Sequence, residues 1–140
     1  MAGLSRYRLT LIKEEEVGYI GCAESPFDVY EMMKKLGFTE LPEEHMWLLT
    51  LNTKNEVVGL HEISHGSVNF TMVDLPSIFK RVLLSNSTRF ILVHNHPSGD
   101  CTPSGHDYEV TRKVAVACEI MRMELLDHLV ISEEGFQTAR

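Results

Sequence analysis

A chain of 140 residues, 44% hydrophobic and 24% charged, is sized and composed for one domain with its own core and needs no disulfide or structural metal to fold. Its net charge of -7 repels a phosphate backbone unless basic residues are concentrated, and Lys34-Lys35, Lys80-Arg81 and Arg112-Lys113 are scattered over predicted helices, so nucleic-acid binding is disfavoured. No apolar run reaches the ~18 residues of a membrane span, residues 1–16 lack a secretory layout, and Cys22, Cys101 and Cys118 have no paired spacing, which together predict a reduced cytoplasmic protein with no membrane partner.

Residues 6–13 (RYRLTLIK) alternate polar and apolar, which predicts a half-buried strand. Ser25-Pro26 opens a helix, because serine caps and proline suits the first helical position. Phe27, Tyr30, Met33 and Leu36 continue it, and Gly37 is its left-handed stop. Residues 45–51 (HMWLLTL) read as a buried strand, and 56–63 (EVVGLHEI) as its hairpin partner across a turn at 52–55. Asp74 caps a second helix with Pro76 in its first turn, and Ile78, Phe79, Val82 and Leu83 form its apolar face. Residues 89–93 (RFILV) suit a central strand. The loop HNHPSGDCTPSG follows, then a helix over about 105–122 with Val110, Val114, Ala117 and Met121 turned inward. Residues 125–131 (LLDHLVI) close the chain as a strand. The order β-α-β-β-α-β-α-β predicts one α/β domain over residues 1–140, with a mixed central sheet flanked by helices.

The chemistry concentrates at His94-Asn95-His96-Pro97, Ser104 and Asp107. Two histidines separated by one residue at a strand end share a face, and Asn95 between them turns away. The following loop returns the chain to the first turn of the long helix, which presents Asp107. Two imidazole nitrogens and one carboxylate, with a fourth position left to a bound water, make a catalytic rather than a closed zinc site for one Zn2+ ion. Such an ion brings the pKa of water to about 7. Glu62, on the strand before the second helix, is the candidate base, and Ser104 is the candidate donor to the oxyanion. Ser104-x-x-Asp107 is also a helix-capping pattern, and both readings stand together.

The full pattern, an upstream glutamate followed by His-x-His-Pro-x6-Ser-x2-Asp, resembles the JAMM metalloproteases of the MPN type. The flanks HEISHGSVN, ILVHNHPSGD and LLDHLVIS are similar more narrowly to the RadC family over roughly residues 6–132. The resemblance implies a cytidine-deaminase-like α/β/α fold. It implies His94, His96 and Asp107 as ligands, Glu62 as base and Ser104 on the oxyanion side. It also implies the catalytic half of a RadC protein, without the N-terminal helix-hairpin-helix region. The expected activity is hydrolysis of a peptide or isopeptide by metal-activated water. The alternatives are a DNA-repair-associated module with a structural metal and a nucleic-acid phosphodiesterase.

Other residues read more plainly. His61, His65, His106 and His128 are taken as surface or satisfied core histidines; a role for Asp127-His128 in orienting a ligand ranks below that. Cys101 is an incidental loop residue, and Trp47 with the methionines fills the core. A zinc deaminase would need H-x-E and P-C-x-x-C, whereas Pro103 here is followed by serine.

Overall fold

The computed structural model describes residues 2–18, 22–65 and 74–140. The elements are α1 (Pro26–Lys35), β1 (His45–Leu51), β2 (Val57–His65), α2 (Leu75–Leu84), β3 (Arg89–Asn95), α3 (Gly105–Met121), β4 (Glu124–Ser132) and β5 (Gly135–Thr138). The strands form a mixed sheet in the order β2-β1-β3-β4-β5. Among the described residues only the β3–β4 pair is parallel, and α3 is the crossover between them.

Alternation along the strands divides the core. On one face Trp47, Leu49, Leu51, Ile91, Val93, Leu129 and Ile131 pack with Val29, Tyr30, Met32 and Met33 of α1. On the other, Leu48, Phe90, Leu92 and Leu125 pack with Ile78 and Val82 of α2 and Val110, Val114 and Cys118 of α3. The result is the expected α/β layering around a mixed sheet, with β3 buried at its centre.

Local signals explain most boundaries. Ser25 caps α1 in a full capping box with Asp28, proline follows at the first position, and Gly37 takes φ +83° just past the end. Asp74 is the N-cap residue of α2, although its side chain makes no capping bond. Three expectations need correction. Residues 6–13 form no strand: Tyr7, Leu9 and Ile12 stand exposed. Alternation marks which face a strand would bury, but it cannot supply the partner whose ladder makes the strand. Among the described residues, the segment before α1 meets the sheet at an isolated bridge between Cys22 and Glu56. In α3, Met121 is exposed and Cys118 is the residue turned inward. Finally β5, too short to show a pattern, adds an edge strand that the sequence did not signal.

Candidate metal centre

β3 runs two residues further than expected, so His94 and Asn95 lie within the pleat. The His96 backbone N–H still donates to the Ile131 carbonyl at 2.9 Å, which prolongs the ladder by one step. Asn95 points away as expected: its Oδ1 accepts the His45 N–H at 2.7 Å and its Nδ2 donates to the Glu43 carbonyl at 2.9 Å. His94 and His96 therefore share the face that carries α3.

The loop after His96 is built to return. Gly99, at φ +91°, lets its N–H donate to the His96 carbonyl at 3.1 Å. The Asp100 carbonyl then meets His96 Nδ1 at 2.8 Å. A carbonyl only accepts, so Nδ1 carries a proton and Nε2 is the nitrogen left to face inward. Asp100 Oδ1 accepts the Thr102 N–H at 3.0 Å, and Ser104 starts α3 in a reciprocal cap. The Ser104 N–H donates to Asp107 Oδ2 at 2.7 Å, and Ser104 Oγ accepts the Asp107 N–H at 3.1 Å. The capping reading of Ser104 is what the geometry displays, and it is also what aims Asp107 at the histidines.

Three donor groups converge. His94 Nε2 lies 3.1 Å from His96 Nε2 and 3.1 Å from Asp107 Oδ1, and His96 Nε2 lies 3.5 Å from Asp107 Oδ2. Ligands of a tetrahedral zinc with ~2.0–2.1 Å bonds sit about 3.3–3.4 Å apart, so the side chains fit one ion without rearrangement. Asp107 is wholly buried, and its Oδ1 has no aligned hydrogen-bond partner even though His94 Nε2 is near. A buried carboxylate oxygen left in that state is costly unless a cation completes it. Burial works to raise the Asp107 carboxyl, but the facing His94 and His96 rings and the Ser104 amide favour its charged form and hold it well below the ordinary carboxylate range. Asp107 raises His96 against the effect of burial. Of the three, His96 alone keeps some exposure, so the centre opens to solvent on its side.

Behind His94 lies a group that the sequence reading undervalued. His94 Nδ1 is 2.9 Å from His128 Nε2, and His128 Nδ1 is 2.7 Å from Thr111 Oγ1, which donates to the Asp107 carbonyl at 3.0 Å. Burial first, then the neighbouring His94, pushes His128 down to about 3. Asp127 is not its side-chain partner, because its Oδ1 accepts the His128 backbone N–H. Two signals pointed here: Thr111 is one helical turn after Asp107, and His128 alternates with Val130 toward the α3 face of β4.

The structure does not bring Glu62 to these three residues. Met46 pairs with His94, whereas a bulge at Ile63 pairs Trp47 with Glu62. Residues opposite one another share a face, and Trp47 belongs to the core under α1. Glu62 therefore stands at the correct end of the sheet but on its other face, with Oε1 2.5 Å from His45 Nδ1. On the site's own face the residue at this level is Ser64, whose buried hydroxyl has no partner among the described residues. His45, Glu62 and His65 also gather closely enough to be considered for a metal. The His45 and His65 rings are stacked 4.2 Å apart at 13°, however, so their in-plane lone pairs run side by side rather than meeting. Each ring already faces a carboxylate, from Glu62 and Glu43. Cys101 does not join either group.

A mixed sheet between helices, carrying His-x-His at a central strand end and an aspartate on the next helix, defines an α/β protein of JAB/MPN type with a candidate divalent-metal site. Residues 23–139 match the RadC-like JAB domain, and the chain belongs to that family. It is 41% identical over 109 residues to a UPF0758 protein of Flavobacterium johnsoniae, which covers 78% of this chain and 47% of that one. A UPF0758 protein of Desulfitobacterium hafniense is 40% identical over 113 residues, covering 80% and 49%. One from Roseiflexus castenholzii is 38% identical over 133 residues, covering 95% and 55%. The chain thus spans about half the length of the curated relatives it matches. Membership in this family suggests a metal-dependent hydrolase.

Proposed function

We propose that this domain is a zinc-dependent hydrolase that cuts an amide or isopeptide bond. The observation that carries the reading is the convergence of His94 Nε2, His96 Nε2 and the Asp107 carboxylate, whose Oδ1 is buried and unsatisfied. His94, His96 and Asp107 would hold the ion, which when bound supplies a Lewis acid able to make water nucleophilic near neutral pH. The exposed side of His96 admits substrate. Ser104 Oγ accepts in the cap and still has its own O–H to donate to the oxygen of a carbonyl under attack. Glu62 carries the proton to the leaving amine in this reading. To do so its carboxylate must leave His45 and turn to the other face, a change local to the bulged end of an edge strand.

Metal analysis by mass spectrometry on protein purified without added metal tests the centre. Near-stoichiometric zinc is expected in the parent and none in a His94→Ala/His96→Ala variant; equal metal in both overturns the reading. Glu62→Gln is expected to keep zinc and lose turnover, and loss of zinc in that variant would remove Glu62 as the base. A phosphodiesterase or DNA-associated module would instead show salt-dependent DNA binding, against which the charge of -7 weighs.

A further inference from the structure

We infer that Thr111 and His128 are positioning residues that hold a proton on His94 Nδ1, so that His94 Nε2 is always the nitrogen turned toward the centre. The inference follows from counting protons. Thr111 Oγ1 has one, and donates it to the Asp107 carbonyl at 3.0 Å. At its 2.7 Å contact with His128 Nδ1 the same oxygen must therefore accept, which places a proton on His128 Nδ1. His128 is fully buried, and its side-chain contacts are a hydroxyl and another imidazole, an environment that favours the neutral ring. A neutral imidazole has a single N–H. His128 Nε2 is then an acceptor, and at 2.9 Å its donor is His94 Nδ1. Nε2 of His94 is left as the nitrogen that exchanges a proton for a cation. Were the chain of bonds reversed, His94 would carry its proton toward the ion and would not be a ligand.

The same bonds brace the centre. Thr111 sits one turn after Asp107 on α3, His128 lies in β4 and His94 in β3. Ligands from two different elements are thereby tied together from behind. The purpose of the device rests on the metal reading above, but the proton placement is a property of the protein with or without metal.

Nitrogen-15 NMR of the imidazoles tests it, on chelator-treated protein and again after zinc is added. His94 Nδ1 is expected to be protonated in both states, with the His128 proton on Nδ1. A His94 proton on Nε2 alone, or a His128 proton on Nε2, overturns the inference whether or not zinc binds. Zinc affinity measured by chelator competition gives the second readout. His128→Phe and Thr111→Val are expected to weaken binding by about 10- to 100-fold. Thr111→Ser and His128→Gln, whose side-chain oxygens can still accept, are expected to restore most of it. Folded His128→Phe protein with parental affinity would also overturn the assignment. If the parent itself binds no zinc, the metal reading fails while the spectra still decide the proton placement.

Discussion

At Ser104 a single side-chain oxygen serves the helix as its cap, and in the proposed hydrolase it would also donate to the oxyanion. The reciprocal bonds with Asp107 start α3 and fix the direction of the Asp107 carboxylate together. The two roles separate by substitution. Ser104→Ala is expected to cost about 1 kcal/mol of stability through the lost cap, while Ser104→Gly, a tolerable N-cap, costs only a few tenths. Both remove the hydroxyl, so both should lower turnover by about 10²–10³ if it steadies the oxyanion. Thermal melts beside peptidase assays check this. Full activity in Ser104→Gly would leave Ser104 as a cap alone.

Among the elements, the end of α3 and the β1–β2 hairpin carry local strain or tight contact. Arg122 closes α3 in the left-handed region at φ 55°, ψ 44°, a conformation that costs a residue with a Cβ roughly 1 kcal/mol. Arg122→Gly is therefore expected to raise stability by up to about that amount, read from denaturant midpoints; a fall would mean the arginine side chain contributes more than its backbone costs. In the hairpin, Gly59 pairs with Thr50, and a Cβ there would come within 2.5 Å of Thr50 Oγ1 and 3.2 Å of His61 Nε2. Gly59→Ala should destabilise by about 1–3 kcal/mol as overpacking, and an unchanged midpoint would show that β2, an edge strand, yields instead.

For the whole molecule, the buried polar groups around the centre predict acid sensitivity. Asp107 is held below its ordinary value of 3.8, so its contribution is complete above that pH and is lost as pH falls. His128 drops from 6.5 to about 3, so it too stabilises fully above pH 6.5 and progressively less toward pH 3. His96 is raised and acts oppositely: its contribution is complete below pH 6.5 and fades as pH rises through its higher value. Melting temperatures of metal-free protein are expected to fall from pH 6.5 downward, and His128→Gln should remove the early part of that fall. A profile that is flat to pH 4 would contradict the buried neutral histidine. Zinc at 100 times its dissociation constant should add ~2.7 kcal/mol of apparent stability, reversed by a chelator. Among the described residues no helix is long and apolar enough to cross a membrane.

The elements whose cause is local could be read along the chain: the apolar runs of β1 and β3, the Ser25-Pro26 start of α1, and the spacing that sets Asp107 one capping box past the loop from His96. Periodicity and capping act within a turn or a pleat, so residue order suffices to state them. Strand pairing does not work that way. Whether residues 6–13 find a partner, which face the bulge at Ile63 leaves to Glu62, and that Thr111 and His128 stand behind His94 depend on registers between segments far apart in the chain. One residue of slip reverses every side chain on a strand. The amino-acid order therefore named the three side chains that converge, and only the folded sheet decided what faces them.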